Sequence, residues 1–175
     1  GFYRLSSSLP TGWSDADIGA VGSAGSATYD GTTWTVKGSG SDIWGTGDQF
    51  NFASESWSGD GQIIAKVTAV QNTDGWAKSG VMFRDSSAAG AMYAAVEVTP
   101  SNGVAFQWRS STNGSASNAQ ATGITAPVWV KLVRSGNAFI AYYSSDGTSW
   151  TQVSTSQTIA MASSALAGLE VTAHN

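Results

Sequence analysis

Two positively charged residues, Lys78 and Arg84, stand at the ends of a segment in which two kinds of residue alternate. One row consists of Ser79, Val81 and Phe83, and the other of Lys78, Gly80, Met82 and Arg84. Alternation with a period of two predicts a β-strand with a mostly apolar face and a charged face. The two charges then lie roughly 20 Å apart on one face, and Gly80 between them leaves room for a ligand.

Other predicted strands share this design, with an apolar row opposite a row of polar and aromatic residues. Their polar rows hold Tyr93 and Glu97, then Gln107 and Arg109, then Glu170 and His174, with Asp42 and Trp44 in a shorter segment. The chain is poor in charge, with only 11% Asp, Glu, Lys and Arg. Charged residues are normally most frequent in loops. Here many of the few charges fall in the middle of predicted strands, which indicates a specific role for them.

The chemistry that fits such a face is hydrogen bonding to sugars. Charged and amide groups fix hydroxyls, and an aromatic ring covers the apolar C–H face of a pyranose. Trp76 precedes Lys78 and is expected to join Trp44 as an aromatic of the site. The alternative is that these charges only pair with one another on a wet sheet, which would add little stability.

Composition excludes several other classes. A net charge of −4 without clustered basic residues argues against nucleic acid as a partner. The chain has no Cys and one His, so it has neither disulfides nor a multi-His zinc site. No apolar run approaches the ~20 residues of a membrane helix, and no signal peptide opens the sequence. Few Lys and Glu with many Ser, Thr, Gly and Trp are typical of secreted bacterial modules, and we expect a monomer.

The elements that must position these residues are short strands separated by turns. Gly and Asn-Gly or Asp-Gly pairs recur every 8–12 residues, and eight Trp, six Phe and five Tyr can supply a core. This pattern predicts an all-β fold, a two-sheet antiparallel β-sandwich of the jelly-roll kind. We expect residues 1–8 to be a linker or the tail of a preceding module, and residues 9–175 to form the domain. The segments 41–44, 110–126 and 159–166 are expected to be a strand, a long loop and at most one helical turn.

Six segments together resemble a known group of modules. They are LPTGWSDADIG from Leu9, SDIWGT from Ser41, WAKSGVMFR from Trp76, WVKLVRSGN from Trp129, YYSSDGTSW from Tyr142 and VTAHN from Val171. In this order they resemble concanavalin A-like, laminin-G-like modules of bacterial secreted polysaccharide-degrading enzymes, including DUF1349-type sandwiches. The resemblance implies a jelly roll with one concave sheet and a non-catalytic carbohydrate-binding role. The fold alone does not settle function, because the superfamily also holds enzymes and adhesion domains.

Two classes of enzyme have a fold that resembles the predicted one. Jelly-roll glucanases carry Glu, Asp and Glu at alternate strand positions, whereas Glu55, Glu97 and Glu170 here have no acidic residue two positions away. Glu97 and Glu170 could form a catalytic pair only through strand pairing. Polysaccharide lyases of this kind use Arg, Gln, His and Tyr. This chain contains residues of these four types, but their spacing differs from that of the lyases. They are Arg84, Gln107, His174 and Tyr93.

Metal binding has one set of candidates. The resemblance implies that such modules often hold one structural Ca²⁺ at an edge, and Asp15, Asp17 and Asp60 lie where they could supply oxygen ligands. The competing interpretation, which we favour, is that these residues stabilise turns. No cofactor is expected to be required.

The sequence therefore predicts a carbohydrate-binding module that targets a covalently linked catalytic module to a polysaccharide or oligosaccharide outside the cell or at its surface. A protein-binding or cell-surface adhesion module is the first alternative, and a polysaccharide lyase is the second. The predicted binding residues are Asp42, Trp44, Trp76, Lys78, Arg84, Tyr93, Glu97, Gln107, Arg109, Glu170 and His174.

Overall fold

The computed structural model describes residues 8–175, which form fourteen β-strands and no helix. In chain order the first seven are β1 (Trp13–Ile18), β2 (Ser26–Tyr29), β3 (Trp34–Lys37), β4 (Phe50–Ser58), β5 (Gly61–Val67), β6 (Lys78–Arg84) and β7 (Tyr93–Val98). The others are β8 (Val104–Arg109), β9 (Ser117–Ala121), β10 (Val128–Ser135), β11 (Ala138–Ser144), β12 (Thr151–Gln152), β13 (Gln157–Thr158) and β14 (Ser164–Thr172). The described part of the chain thus contains no helix that could cross a membrane.

Two antiparallel sheets make up the body of the domain. The seven-stranded sheet has the order β1-β4-β14-β6-β7-β8-β9. The five-stranded sheet has the order β12-β11-β10-β5, and β13 also pairs with β11. Strands β2 and β3 form a separate hairpin. The predicted all-β, two-sheet antiparallel sandwich is confirmed.

The core between the two sheets follows from the alternation in the sequence. Val81, Phe83, Val96 and Phe106 of the seven-stranded sheet are fully buried there, together with Leu132 and other residues of the five-stranded sheet. Because side chains of a strand alternate between faces, this packing sends their neighbours Lys78, Arg84, Glu97 and Gln107 to the outer face of the seven-stranded sheet. That outer face carries the candidate site.

Three local predictions differ from the structure. The segment 41–44 is not a strand but part of a turn-rich loop. The long loop 110–126 contains an additional strand, β9, which adds an edge to the seven-stranded sheet. The segment 159–166 has no helical turn, and β14 begins within it. Of the expected linker 1–8, residues 1–7 lie outside the described residues.

Candidate functional site

The outer face of the seven-stranded sheet is covered by residues 38–49, called here the covering loop. Ile43 of this loop is completely buried and packs with Phe50, Phe52, Met82 and Tyr93 in a second hydrophobic cluster. The end of β14 anchors the loop, because the Thr172 hydroxyl donates to the carbonyl oxygens of Gly40 and Gln49, each at 3.0 Å. The charged row expected to face solvent is therefore mostly enclosed.

Asp48 of the covering loop lies between two arginines. Arg84 Nη1 and Arg109 Nη1 donate to its Oδ2, each at 2.7 Å, and Arg109 Nη2 donates to its Oδ1 at 2.6 Å. All three side chains are completely buried. The Tyr93 ring lies 5.7 Å from the Arg84 guanidinium and 5.0 Å from that of Arg109. This cluster ties the loop to the sheet by charge-assisted hydrogen bonds.

Arg109 also connects three backbone segments. Its guanidinium donates to the carbonyl oxygens of Gly45 at 3.1 Å, Ala91 at 3.1 Å and Gly114 at 2.9 Å. Burial acts to lower the pKa of Arg109, but the hydrogen bond with Asp48 raises it above the usual value. Burial lowers the pKa of Arg84. Arg84 Nη2 donates to the carbonyl oxygens of Ala88 and Ala89, at 2.6 and 3.0 Å. Both arginines point out of the sheet, as the alternation predicts, but they are buried against Asp48 and backbone carbonyls and do not line the pocket.

Glu97 and Glu170 form a second buried group. In the strand register both are paired with Gly80, Glu97 from β7 and Glu170 from β14, so their side chains flank the glycine on one face. Both side chains are completely buried. Burial, together with the nearby Glu170 carboxyl, raises the pKa of Glu97 well above its usual value. Burial likewise raises the pKa of Glu170 to about 8.

Gln107 links the carboxyl pair to the covering loop. In the amide orientation that satisfies both neighbours, its nitrogen donates to Glu97 Oε2 and to the Ile43 carbonyl oxygen, each at 3.0 Å. Both carboxyl oxygens of Glu170, in contrast, are buried without a hydrogen-bond partner among the described residues. A protonated, uncharged form of both acids is the state that such burial favours.

A chain of polar contacts runs from the buried region to the surface. Lys78 Nζ donates to Asp42 Oδ1, and also to the Trp76 carbonyl oxygen at 3.1 Å. His174 Nε2 lies 3.1 Å from Asp42 Oδ2, and its Nδ1 lies 3.2 Å from Asp74 Oδ1. Lys78 is buried, whereas Asp42, Asp74 and His174 are partly exposed. Asp42 thus contacts Lys78 of β6 on one side and His174, the second residue after β14, on the other.

A pocket of about 250 Å³ opens beside this chain of polar contacts. It is lined by Asp42, Trp44, Trp76, Lys78, Gln107, Asn118 and His174. Trp44 is the more exposed of the two tryptophans, with 41% of its surface accessible to solvent. The Lys78 ammonium lies 5.5 Å from the centre of the Trp76 indole, which fixes the position of both groups. The pocket therefore has two aromatic walls and several oriented polar groups.

The eleven predicted residues fall into three groups on this one face. Those that line the pocket are Asp42, Trp44, Trp76, Lys78, Gln107 and His174. Glu97 and Glu170 are buried around Gly80. Arg84, Tyr93 and Arg109 surround Asp48 and do not line the pocket.

The sequence interpretation missed four residues that the structure brings to this face. Asp48 and Ile43 lie in the covering loop, and Asp74 lies in the turn before β6. Asn118 lies in β9, directly opposite Gln107 of β8. None of the four has a signal in the sequence, because the need for a counter-charge such as Asp48 becomes visible only once the arginines are known to be enclosed.

Two of the three candidate calcium ligands are engaged in hydrogen bonds with backbone amides. Both carboxyl oxygens of Asp17 accept from the Gly25 amide, at 3.1 and 3.0 Å, and Asp60 Oδ1 accepts from the Gly136 amide at 2.6 Å. Asp15 lies on β1 with one oxygen buried and without a partner among residues 8–175. Within that range no group of three or more His, Cys, Asp or Glu side chains is arranged to hold a metal ion.

Comparison with known proteins supports the fold. No protein-family model matches this chain, and no curated protein sequence matches it. A crystal structure of a functionally unknown protein from Saccharomyces cerevisiae is similar, with a TM-score of 0.56, 13% identity, and coverage of 97% of this chain and 83% of that one. The Bacillus licheniformis GH43 protein BlXynB (K247S mutant) aligns with a TM-score of 0.46 and 13% identity, over 70% of this chain and 29% of that one. The yeast protein shares the fold at an identity too low to carry a function.

Proposed function

We propose that this chain is a non-catalytic carbohydrate-binding module of the concanavalin A-like, laminin-G-like kind. Its binding site is the pocket beside Trp44 and Trp76. The observation that carries the proposal is an exposed tryptophan, Trp44, beside polar side chains whose orientations are fixed by partners within the protein. Pockets that combine apolar walls with a few fixed polar groups are typical of small-ligand sites.

Preorganisation strengthens this interpretation. The Lys78 ammonium and the Gln107 amide are held by contacts to Asp42, Glu97 and the covering-loop backbone. A ligand therefore does not have to order these side chains when it binds, and the entropic cost of binding is reduced. The indole rings can cover the C–H face of a sugar while the polar groups meet its hydroxyls.

The positions of the carboxyl groups favour binding over glycoside hydrolysis. A hydrolase needs two carboxyl groups that reach the scissile bond. Glu97 and Glu170 are completely buried and are not among the lining residues of the pocket. Arg84 and Tyr93, which a lyase would need at its substrate, are enclosed with Asp48. A covalently linked catalytic module and an extracellular or cell-surface location complete the proposal.

A glycan array followed by titration calorimetry tests it. The domain should bind at least one glycan without releasing reducing or unsaturated ends. Trp44→Ala should weaken binding at least tenfold, or about 1.4 kcal/mol, because an aromatic contact is lost. The matched control is Trp150→Ala, since Trp150 is half-buried beside Lys131 of the five-stranded sheet, and it should leave affinity unchanged.

Three results would contradict the proposal. Equal affinity of Trp44→Ala and the parent would place the site elsewhere. Binding to no glycan, with a protein partner captured instead, would favour the adhesion alternative. Release of unsaturated products from a bound polysaccharide would favour the lyase.

A further inference from the structure

His174, the single histidine of the chain, lies where three segments meet beside the pocket. Its Nε2 is 3.1 Å from Asp42 Oδ2 of the covering loop, and its Nδ1 is 3.2 Å from Asp74 Oδ1 in the turn before β6. Because the two ring nitrogens point in different directions, the ring bridges the two carboxyl groups. The end of the chain after β14 is thereby connected to the covering loop and to the turn that carries Trp76.

A proton decides whether both of these contacts are hydrogen bonds. An ionised carboxylate only accepts, whereas a neutral imidazole carries one N–H and an imidazolium carries two. The protonated ring of His174 can thus donate to Asp42 and Asp74 at once, and the neutral ring can donate to only one of them. Histidine is the side chain that ordinarily changes charge between about pH 5 and pH 8. The bridge is therefore complete on the acidic side of the ring's titration and broken at one end on the alkaline side.

The Asp74 end of the bridge is the end that breaks. Among residues 8–175, His174 is the only group within hydrogen-bond distance of Asp42 Oδ2. Asp74 Oδ1, in contrast, also accepts from the Trp76 amide at 2.7 Å, and its side chain is 42% exposed, so water can replace the histidine. The neutral ring therefore keeps its proton on Nε2 for Asp42 and turns a bare Nδ1 towards a carboxylate that repels it.

The backbone of His174 adds a reason for the bridge to open. Its φ is 58°, in the left-handed region that residues other than glycine seldom adopt. Contacts on either side hold this conformation, because the Thr73 hydroxyl donates to the Ala173 carbonyl oxygen at 2.6 Å and the Asn175 amide donates to that of Gly40 at 3.1 Å. When one side-chain contact is lost, fewer contacts remain to hold the strained residue.

We propose that His174 is a proton-dependent clasp that positions the Trp76 wall of the pocket. In the protonated state the ring ties the end of the chain to the turn before β6 through Asp74. In the neutral state that tie opens, and Trp76 is held less firmly. The ring faces Asp42 and Asp74, and three other charged or titratable groups lie near Asp42: Lys78 of β6, Glu97 of β7 and Glu170 of β14.

Nuclear magnetic resonance of the ligand-free domain tests the clasp, because a single histidine gives one set of ring signals. From about pH 5 to pH 8 the Trp76 indole signal should shift with the same midpoint as the His174 ring. This shift should be absent in His174→Asn, since asparagine tolerates the left-handed conformation but cannot titrate. The Trp150 indole, beside Lys131 on the five-stranded sheet, is the internal control and should not follow the ring. A Trp76 signal that ignores the ring, or that shifts equally in a folded His174→Asn domain, would overturn the inference.

The effect of the clasp on affinity rests on the carbohydrate-binding function proposed above. The affinity of the parent for a glycan identified on the array should fall about fivefold or more from pH 5 to pH 8, and that of His174→Asn should fall by less. Glu97 and Glu170 titrate in both proteins, so only the difference is assigned to His174. Equal pH dependence would overturn the role of the clasp in the pocket. Binding to no glycan would overturn the proposed function, and the ligand-free titration would still decide whether the clasp exists.

Discussion

The carboxyl group of Glu170 lies directly over the backbone of Gly80. A Cβ atom built on Gly80 would stand 2.9 Å from Glu170 Oε1. It would also stand 2.1 Å from the carbonyl oxygen of Val96. The absent side chain is therefore what allows Glu170 to occupy the face of β6 between its neighbouring strands.

Gly80→Ala should consequently destabilise the domain by about 1–3 kcal/mol, the usual range for overpacking a dense interior. The backbone oxygen of Val96 cannot move away without breaking the sheet, so the strain has no easy release. Urea unfolding measures the change. Gly22→Ala is the matched control, because a Cβ there meets nothing within 4 Å, and its stability should stay close to that of the parent. Equal stability of the two variants would show that the site is less tightly packed than described.

Glu170 should make stability fall as pH rises. Burial raises its pKa to about 8 in the folded protein, against an ordinary value of 4.5. Between these two values the folded state keeps the proton and the unfolded state has lost it. The free energy of unfolding therefore decreases with pH in this range, by up to about 1.4 kcal/mol per pH unit for this group.

Glu170→Gln should remove this contribution, since glutamine keeps the size and does not titrate. Denaturant unfolding of parent and variant across pH 4.5–8 measures the two slopes, and only their difference is assigned to Glu170. The slope of the variant should be less negative throughout that range. Parallel slopes would mean that Glu170 does not carry a strongly raised pKa.

Asp48→Ala should destabilise the domain by about 3–5 kcal/mol. The substitution leaves Arg84 and Arg109 as buried cations without their counter-charge. Asp60→Ala is a control on an exposed Asp with one backbone partner, and it should cost about 1 kcal/mol. Chemical denaturation compares the two. A small effect of Asp48→Ala would indicate that water reaches the arginines. By the same reasoning Arg84→Ala should damage the fold and is unsuitable as a probe of binding.

The face on which the charged residues lie was predictable from the sequence. Val81, Phe83, Val96 and Phe106 alternate with the charged row, and a slip of one residue would have placed charges in the core between the sheets. The alternation with a period of two therefore predicted which residues of β6, β7 and β8 lie on the core face and which lie on the outer face.

The enclosure of that face was not predictable in the same way. The covering loop has no period, and the position of Ile43 over Met82 and Tyr93 depends on contacts between segments far apart in sequence. Asn118 was missed for a related reason. Its strand, β9, is rich in polar residues and looks like a loop until it pairs with β8.

The location of β14 sets the order of events during synthesis of this protein. β14 pairs with both β4 and β6, so each of these two strands keeps one unpaired edge until residues 164–172 have left the ribosome. The same segment brings Thr172 and His174, which fasten the covering loop. The pocket can therefore form only after residue 174 has emerged from the ribosome. Ribosome-bound chains stalled earlier would carry a sheet with unpaired edges and without the pocket.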